Sequence, residues 1–192
     1  MKIKSAQPLS ELKSVLMDAN SSGPDPAYWV FENITKDKWH NMTVTAPGDY
    51  NGEFPKTFGH YHGSDSNETY KLISGQGVLL IQKRKFADDD YVDDLIEKVY
   101  FVEFLPGDEL IITPEWGHSF INIGNEPLIT FDDWNEPHSP SDYEGIKNLR
   151  GMSYYLIKKD GKAEFVKNKN YKEVPTPQWV SVNDLKGTTE SC

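Results

Sequence analysis

From Tyr28 onward the chain is a succession of short runs rich in β-branched and aromatic residues, each closed by residues that reverse the backbone. Such runs read as strands near Tyr28–Ile34, His40–Thr45, Thr69–Ser74, Val78–Lys83, Val99–Leu105, Glu109–Thr113, Ser119–Ile123, Leu128–Trp134, Ser153–Lys158 and Ala163–Val166. Between them, Gly75-Gln76-Gly77, Pro106-Gly107-Asp108, Gly124-Asn125-Glu126-Pro127 and Lys159-Asp160-Gly161 supply the glycines or the fixed proline torsion that tight reversals need. Consecutive antiparallel strands follow, and with them an all-β sandwich or barrel.

Ahead of these strands, Leu9, Leu12, Val15 and Leu16 recur near the helical period, with Ser10 available as a cap. One short N-terminal helix is expected, ended by the turn residues from Asn20 to Pro26. A chain of 192 residues of this texture is read as a single domain: an N-terminal extension over 1–27, a barrel core over about 28–167 and a C-terminal tail over 168–192. Within the tail, Lys169 to Trp179 carries Pro175 and Pro177 and is expected to run extended, covering the barrel.

Charge narrows the partners. Twenty basic side chains face thirty acidic ones, and the resulting net charge of -10 repels phosphate backbones and anionic headgroups, which disfavours nucleic-acid and membrane binding. A small anionic substrate remains compatible, because a metal ion and a few aimed donors reverse the field inside one pocket. The single cysteine, Cys192, leaves no intrachain disulfide and no thiolate site, as suits a reducing cytoplasm. With no cationic start leading into an apolar run, the expectation is a cytoplasmic protein. The acid-rich segment from Lys85 to Lys98 is read as a solvated excursion between strands rather than a metal loop. Lys56 is read as a solvated surface group.

The chemistry concentrates in four residues. His60 and His62 are one residue apart, so in an extended segment both imidazoles leave the same face. Glu68 follows a short loop able to fold back, and His118 arrives from a distant strand after Pro114-Glu115-Trp116-Gly117. Three imidazoles and a carboxylate suit one divalent ion, whether iron, manganese, nickel, cobalt or zinc, with positions left open for a substrate. Taken alone, Thr43 and Thr57 read as strand formers, and Tyr61, Tyr70, Trp116, Trp134 and Tyr143 read as core.

The run Gly59-His60-Tyr61-His62, followed by Glu68 and Gly75, resembles the first cupin motif, and Pro106-Gly107-Asp108, Pro114, His118 and Asn122 resemble the second. The resemblance implies a cupin jelly-roll β-barrel, an antiparallel double sheet. More closely, Thr43-Val44-Thr45-Ala46-Pro47-Gly48, Glu53 and Thr57-Phe58-Gly59-His60-Tyr61-His62 are similar to the archaeal-type cupin glucose-6-phosphate isomerases. So are Pro114 to His118, Asn122-Ile123-Gly124 and Glu126-Pro127, and the similarity runs from about Trp29 to about Val166.

That family implies a metal-dependent homodimer interconverting glucose 6-phosphate and fructose 6-phosphate, a step of glycolysis and gluconeogenesis, with iron as the first candidate metal. By position, His60, His62, Glu68 and His118 fall on its metal ligands. Thr43, Thr57 and Gly59 fall on phosphate contacts, and Tyr70 and Tyr143 on tyrosines lining the pocket. Glu68, Tyr70 and Tyr143 are thereby the candidate catalytic residues, and Tyr61, Trp134 and His138 are carried as further substrate contacts. The chain departs from the pattern at Trp134, where the family has a tyrosine, and at Ser141, where it has a histidine that His138 could replace. One residue is also missing between His62 and Glu68. Two other readings stay open: a different metal-dependent cupin enzyme such as a dioxygenase or a sugar-phosphate isomerase or epimerase, and a non-catalytic sugar-binding cupin.

Overall fold

The computed structural model describes residues 1–185, so Cys192 lies outside the described residues. The chain forms β1 (Lys2–Gln7), α1 (Leu9–Leu12) and a 3-10 turn (Lys13–Val15), then β2 (Tyr28–Glu32), β3 (Asn41–Thr45), β4 (Glu68–Ser74), β5 (Gly77–Ala87), β6 (Asp90–Phe104) and β7 (Glu109–Ile112). It continues through β8 (Trp116–Asn122), β9 (Leu128–Asp132), α2 (Pro140–Asn148), β10 (Tyr154–Lys159), β11 (Lys162–Lys167), β12 (Gln178–Ser181) and α3 (Val182–Leu185). One sheet runs β1-β2-β3-β9-β4-β7 and the other β12-β6-β5-β8, while β10 and β11 pair as a separate hairpin. Every pairing is antiparallel except β12 on β6. The result is the double sheet expected from the strand texture.

Strand burial follows from which faces are covered. Leu79 and Ile81 of β5 join Leu72, Val102, Phe104, Phe120 and Leu128 in one apolar cluster. Their neighbours Val78 and Leu80 join a second, with Phe101, Ile121, Leu12, Leu16, Phe54 and Leu156. The four-stranded sheet is therefore buried on both sides, which explains the unbroken run Val78-Leu79-Leu80-Ile81. The six-stranded sheet alternates instead, and at one end its inward positions turn polar: Glu68 and Tyr70 on β4, Asn41 and Thr43 on β3, Thr130 and Asp132 on β9. Buried polar side chains in such a row need partners, and this end of the barrel holds the site.

Several expectations change. The acid-rich segment is the tip of the β5–β6 hairpin, which shifts register on either side of Arg84 and is paired as far as Ala87 with Asp90, with Asp88 and Asp89 at φ 54° and 65° as a primed two-residue turn requires. Ser10 caps nothing; it lies inside α1, and the Leu9 N–H is taken by Asp25 Oδ1 at 3.0 Å. Lys56 is buried rather than solvated, 2.6 Å from Glu53 Oε1 and donating to the Val15 carbonyl at 2.8 Å. The tail carries a strand, β12, added in parallel to β6. Among the described residues, no helix is long and apolar enough to cross a membrane.

Candidate metal centre

His60 and His62 sit in a segment outside both sheets that is held to β8 by main-chain bonds. The His60 N–H donates to the His118 carbonyl at 3.2 Å, and the His118 N–H donates back to the His60 carbonyl at 3.0 Å. That reciprocal pair places an early residue against the middle of β8. Gly59 makes the approach possible: at φ 83° it lies where an added Cβ would meet Met152 Sδ at 3.2 Å and the Ser119 Cβ at 3.3 Å.

The two-residue alternation then sends His60 and His62 to the same side, with ring centroids 4.9 Å apart. The ring of His118 lies 4.4 Å from that of His60 and 5.2 Å from that of His62. Glu68, the first residue of β4, presents Oε2 2.9 Å from His62 Nε2 and 3.2 Å from His118 Nε2. One ligand atom from each of the four residues lies within 4.8 Å of all the others. Bonds of about 2.0–2.2 Å from nitrogen and oxygen to one cation require only a small closure of that cluster.

Two observations fit a metal. His60 Nε2 is buried without a hydrogen-bond partner, which is costly unless a ligand arrives. Burial, then the neighbouring His118, His138 and His62, hold the His60 imidazole well below its usual pKa, so it offers a lone pair. Burial alone would raise the Glu68 carboxyl, but hydrogen bonds from His118 and His62 outweigh it and bring the group down to about 2. Neutral imidazoles and an ionised carboxylate are the forms that bind a divalent ion.

The cluster opens into a cavity of about 960 Å³. Thr43, Thr57, Gly59, Tyr70, His138 and Tyr143 all line it, together with His60, Glu68 and His118. His62 lies behind them, with its side chain fully enclosed. Tyr70 reaches the centre directly, its hydroxyl 3.2 Å from His118 Nε2. The ring of Tyr143, carried on α2, lies 5.3 Å from that of His60.

Two expected contacts fall elsewhere. Tyr61 points away from the cavity, because the alternation that turns its neighbours inward turns it out. Its hydroxyl accepts from Gln82 Nε2 at 2.7 Å, and the Arg84 guanidinium lies 3.8 Å from its ring centroid. Trp134 backs the centre instead of facing the cavity, its ring 4.0 Å from that of His62 and stacked on His138 at 5.5 Å. Ser141 shares a hydrogen bond of 2.6 Å with Ser139 on the exposed start of α2. His138 occupies the wall by the metal cluster, 4.5 Å from the His60 ring and 3.4 Å from Asp142 Oδ2.

Sequence reasoning missed Tyr28, Asn41, Phe58, Thr130 and Asp132, which also line the cavity. A signal existed for three of them: Asn41, Thr130 and Asp132 are polar at positions where strand alternation demands an inward residue.

Comparison with known proteins agrees with this geometry. A family model described as glucose-6-phosphate isomerase matches residues 14–175. The chain is similar to the glucose-6-phosphate isomerase of Thermococcus kodakarensis, with 30% identity over 175 residues covering 86% of each chain. It is also similar to that of Pyrococcus furiosus, with 27% identity over 181 residues covering 88% of this chain and 89% of the other. Among solved structures, a cupin domain of a transcriptional regulator from Enterobacter cloacae aligns with a TM-score of 0.36 and 16% identity, covering 58% of this chain and 99% of that one.

Proposed function

The chain belongs to the glucose-6-phosphate isomerase family, and from that membership we infer that it interconverts glucose 6-phosphate and fructose 6-phosphate at the centre formed by His60, His62, Glu68 and His118. The observation that carries the reading is the convergence of these four donors at the wall of a cavity that also presents Thr43, Thr57 and Gly59. Iron is the first candidate ion, with manganese, nickel, cobalt and zinc next. An ion held by His60, His62, Glu68 and His118 would supply Lewis-acid charge to stabilise the negative charge that gathers on the sugar oxygens.

The protein's own groups do the rest. Glu68 is the base that takes the C2 proton of the aldose and returns it to C1, and the hydrogen bonds that hold it low in pKa must loosen for it to do so. Burial keeps the Tyr70 hydroxyl protonated, so it donates to the sugar oxygen beside His118. The Thr43 and Thr57 hydroxyls and the Gly59 N–H take the phosphate as neutral donors, which suits an acidic chain. His138 and Tyr143 line the cavity beside His60 and hold the sugar chain. The reading extends to one domain over 1–192, a cytoplasmic setting and a homodimer, whose mass gel filtration measures.

Metal-loaded protein should yield glucose 6-phosphate from fructose 6-phosphate in a dehydrogenase-coupled assay, and EDTA should abolish the signal. His118→Ala should lose bound metal, by elemental analysis, together with activity. No product with any of the candidate ions would reject the assignment.

A further inference from the structure

The wall beside the metal cluster contains one acid that the reaction outlined above does not use. Asp132 ends β9, is 5% exposed, and lines the cavity. It pairs across the sheet with Tyr70 on β4 and with Asn41 on β3, while the adjacent inward row sets Thr130 between Leu72 and Thr43. From Tyr70, which touches His118, the floor of the cavity therefore passes Asp132 before it reaches Thr43. Adjacent strands lie about 4.8 Å apart, so this walk is the length of a few carbon atoms of an extended sugar.

Asp132 is also held in one orientation. Its Oδ1 accepts from Asn41 Nδ2 at 2.6 Å and from the Trp134 N–H at 3.2 Å, and Asn41 Nδ2 donates in addition to the Trp134 carbonyl at 2.7 Å. Among the described residues, Oδ2 takes no partner. An apolar side chain would fill a barrel wall at lower cost. Burial, then the charge of Glu68, pushes the Asp132 carboxyl up to about 8.

We propose that Asp132, oriented by Asn41, hydrogen-bonds a hydroxyl of the open-chain sugar phosphate between its reacting end and its phosphate, and so selects substrates by the polyol they carry. This specificity-determining role rests on the isomerase reading above. A site built to meet a hydroxyl discriminates against its absence, because the group left behind is unpaired.

The test compares fructose 6-phosphate with its 3-deoxy and 4-deoxy analogues. The wild type should lose about tenfold in kcat/KM with one of the two analogues. Asp132→Ala should lose about the same with fructose 6-phosphate, show no further loss with that analogue, and keep its bound metal. Asp132→Asn, which can take the same Asn41 hydrogen bond and still offers a donor, should return to within about threefold of the wild type. Should Asp132→Ala fail to fold, Asp132→Ser enters the same comparison. Equal analogue penalties in wild type and variant, an unchanged kcat/KM in the variant, or loss of the metal would each overturn the role of Asp132. A wild type inactive with every candidate ion would instead remove the isomerase reading, before any variant is compared.

Discussion

Tyr70 carries the most direct test at the scale of one side chain. Its hydroxyl is 3.2 Å from His118 Nε2 and its ring packs edge-on to Phe120, so Tyr70→Phe removes a donor and little packing. The expected result is a bound ion retained in full and a kcat lowered about 10²-fold, the loss typical of one aimed donor at a site of developing charge. If kcat is unchanged, the hydroxyl only orients His118. The four donors that converge here were named from the sequence: period-two spacing beside a glycine is a local fact at His60 and His62, and Glu68 and His118 were added from a short loop and a distant strand. The directions of Tyr61 and Trp134 were not legible, since the family resemblance gives position along the chain and says nothing of which way a ring turns. Asp132 was overlooked for another reason: strand alternation marks it as an inward polar residue, but its place in a site appears only when pairing brings Asn41 and Tyr70 beside it.

Among the elements, α2 had the clearest unread signal. Ser139 and Asp142 form a reciprocal capping box, with Pro140 in the first turn. Ser139→Ala should lower stability by about 1 kcal/mol, seen as a lower melting temperature. Because Asp142 also meets His138 and its carbonyl receives the Tyr61 N–H at 3.0 Å, the same variant should raise KM more than it lowers kcat. The helix escaped notice because one turn of capping residues is weaker than the surrounding β texture. The β5–β6 hairpin shows the converse, for clustered aspartates suggest a loop while Asp88 and Asp89 are residues that tolerate the left-handed turn and leave the ladder intact around them. Strand centres were read well from apolar runs. Their ends were not, since pairing extends into polar residues wherever a partner strand continues.

For the molecule as a whole, the layer over the outer face of the four-stranded sheet is fastened by a buried charge pair. Glu53 accepts from the Met17 N–H at 2.7 Å and contacts Lys56 at 2.6 Å, and Lys56 donates to the Val15 carbonyl. Lys56→Met leaves an enclosed carboxylate and should cost about 3–5 kcal/mol in denaturant unfolding, whereas Glu53→Gln combined with Lys56→Met should recover much of that. Sequence alone assigns Lys56 to the surface because burial of a lysine depends on what the N-terminal segment does far from it. The reciprocal main-chain bonds between His60 and His118 have a consequence at this same scale. They make the imidazole arrangement a property inherited from the folded polypeptide, so stripping the ion should leave the far-ultraviolet circular dichroism unaltered and recharging should be fast. One preparation can then be loaded in turn with different ions and the resulting enzymes ranked. Which ion the protein takes up in a cell should then follow availability and fit to a preset geometry of three imidazoles and a carboxylate more than raw affinity order.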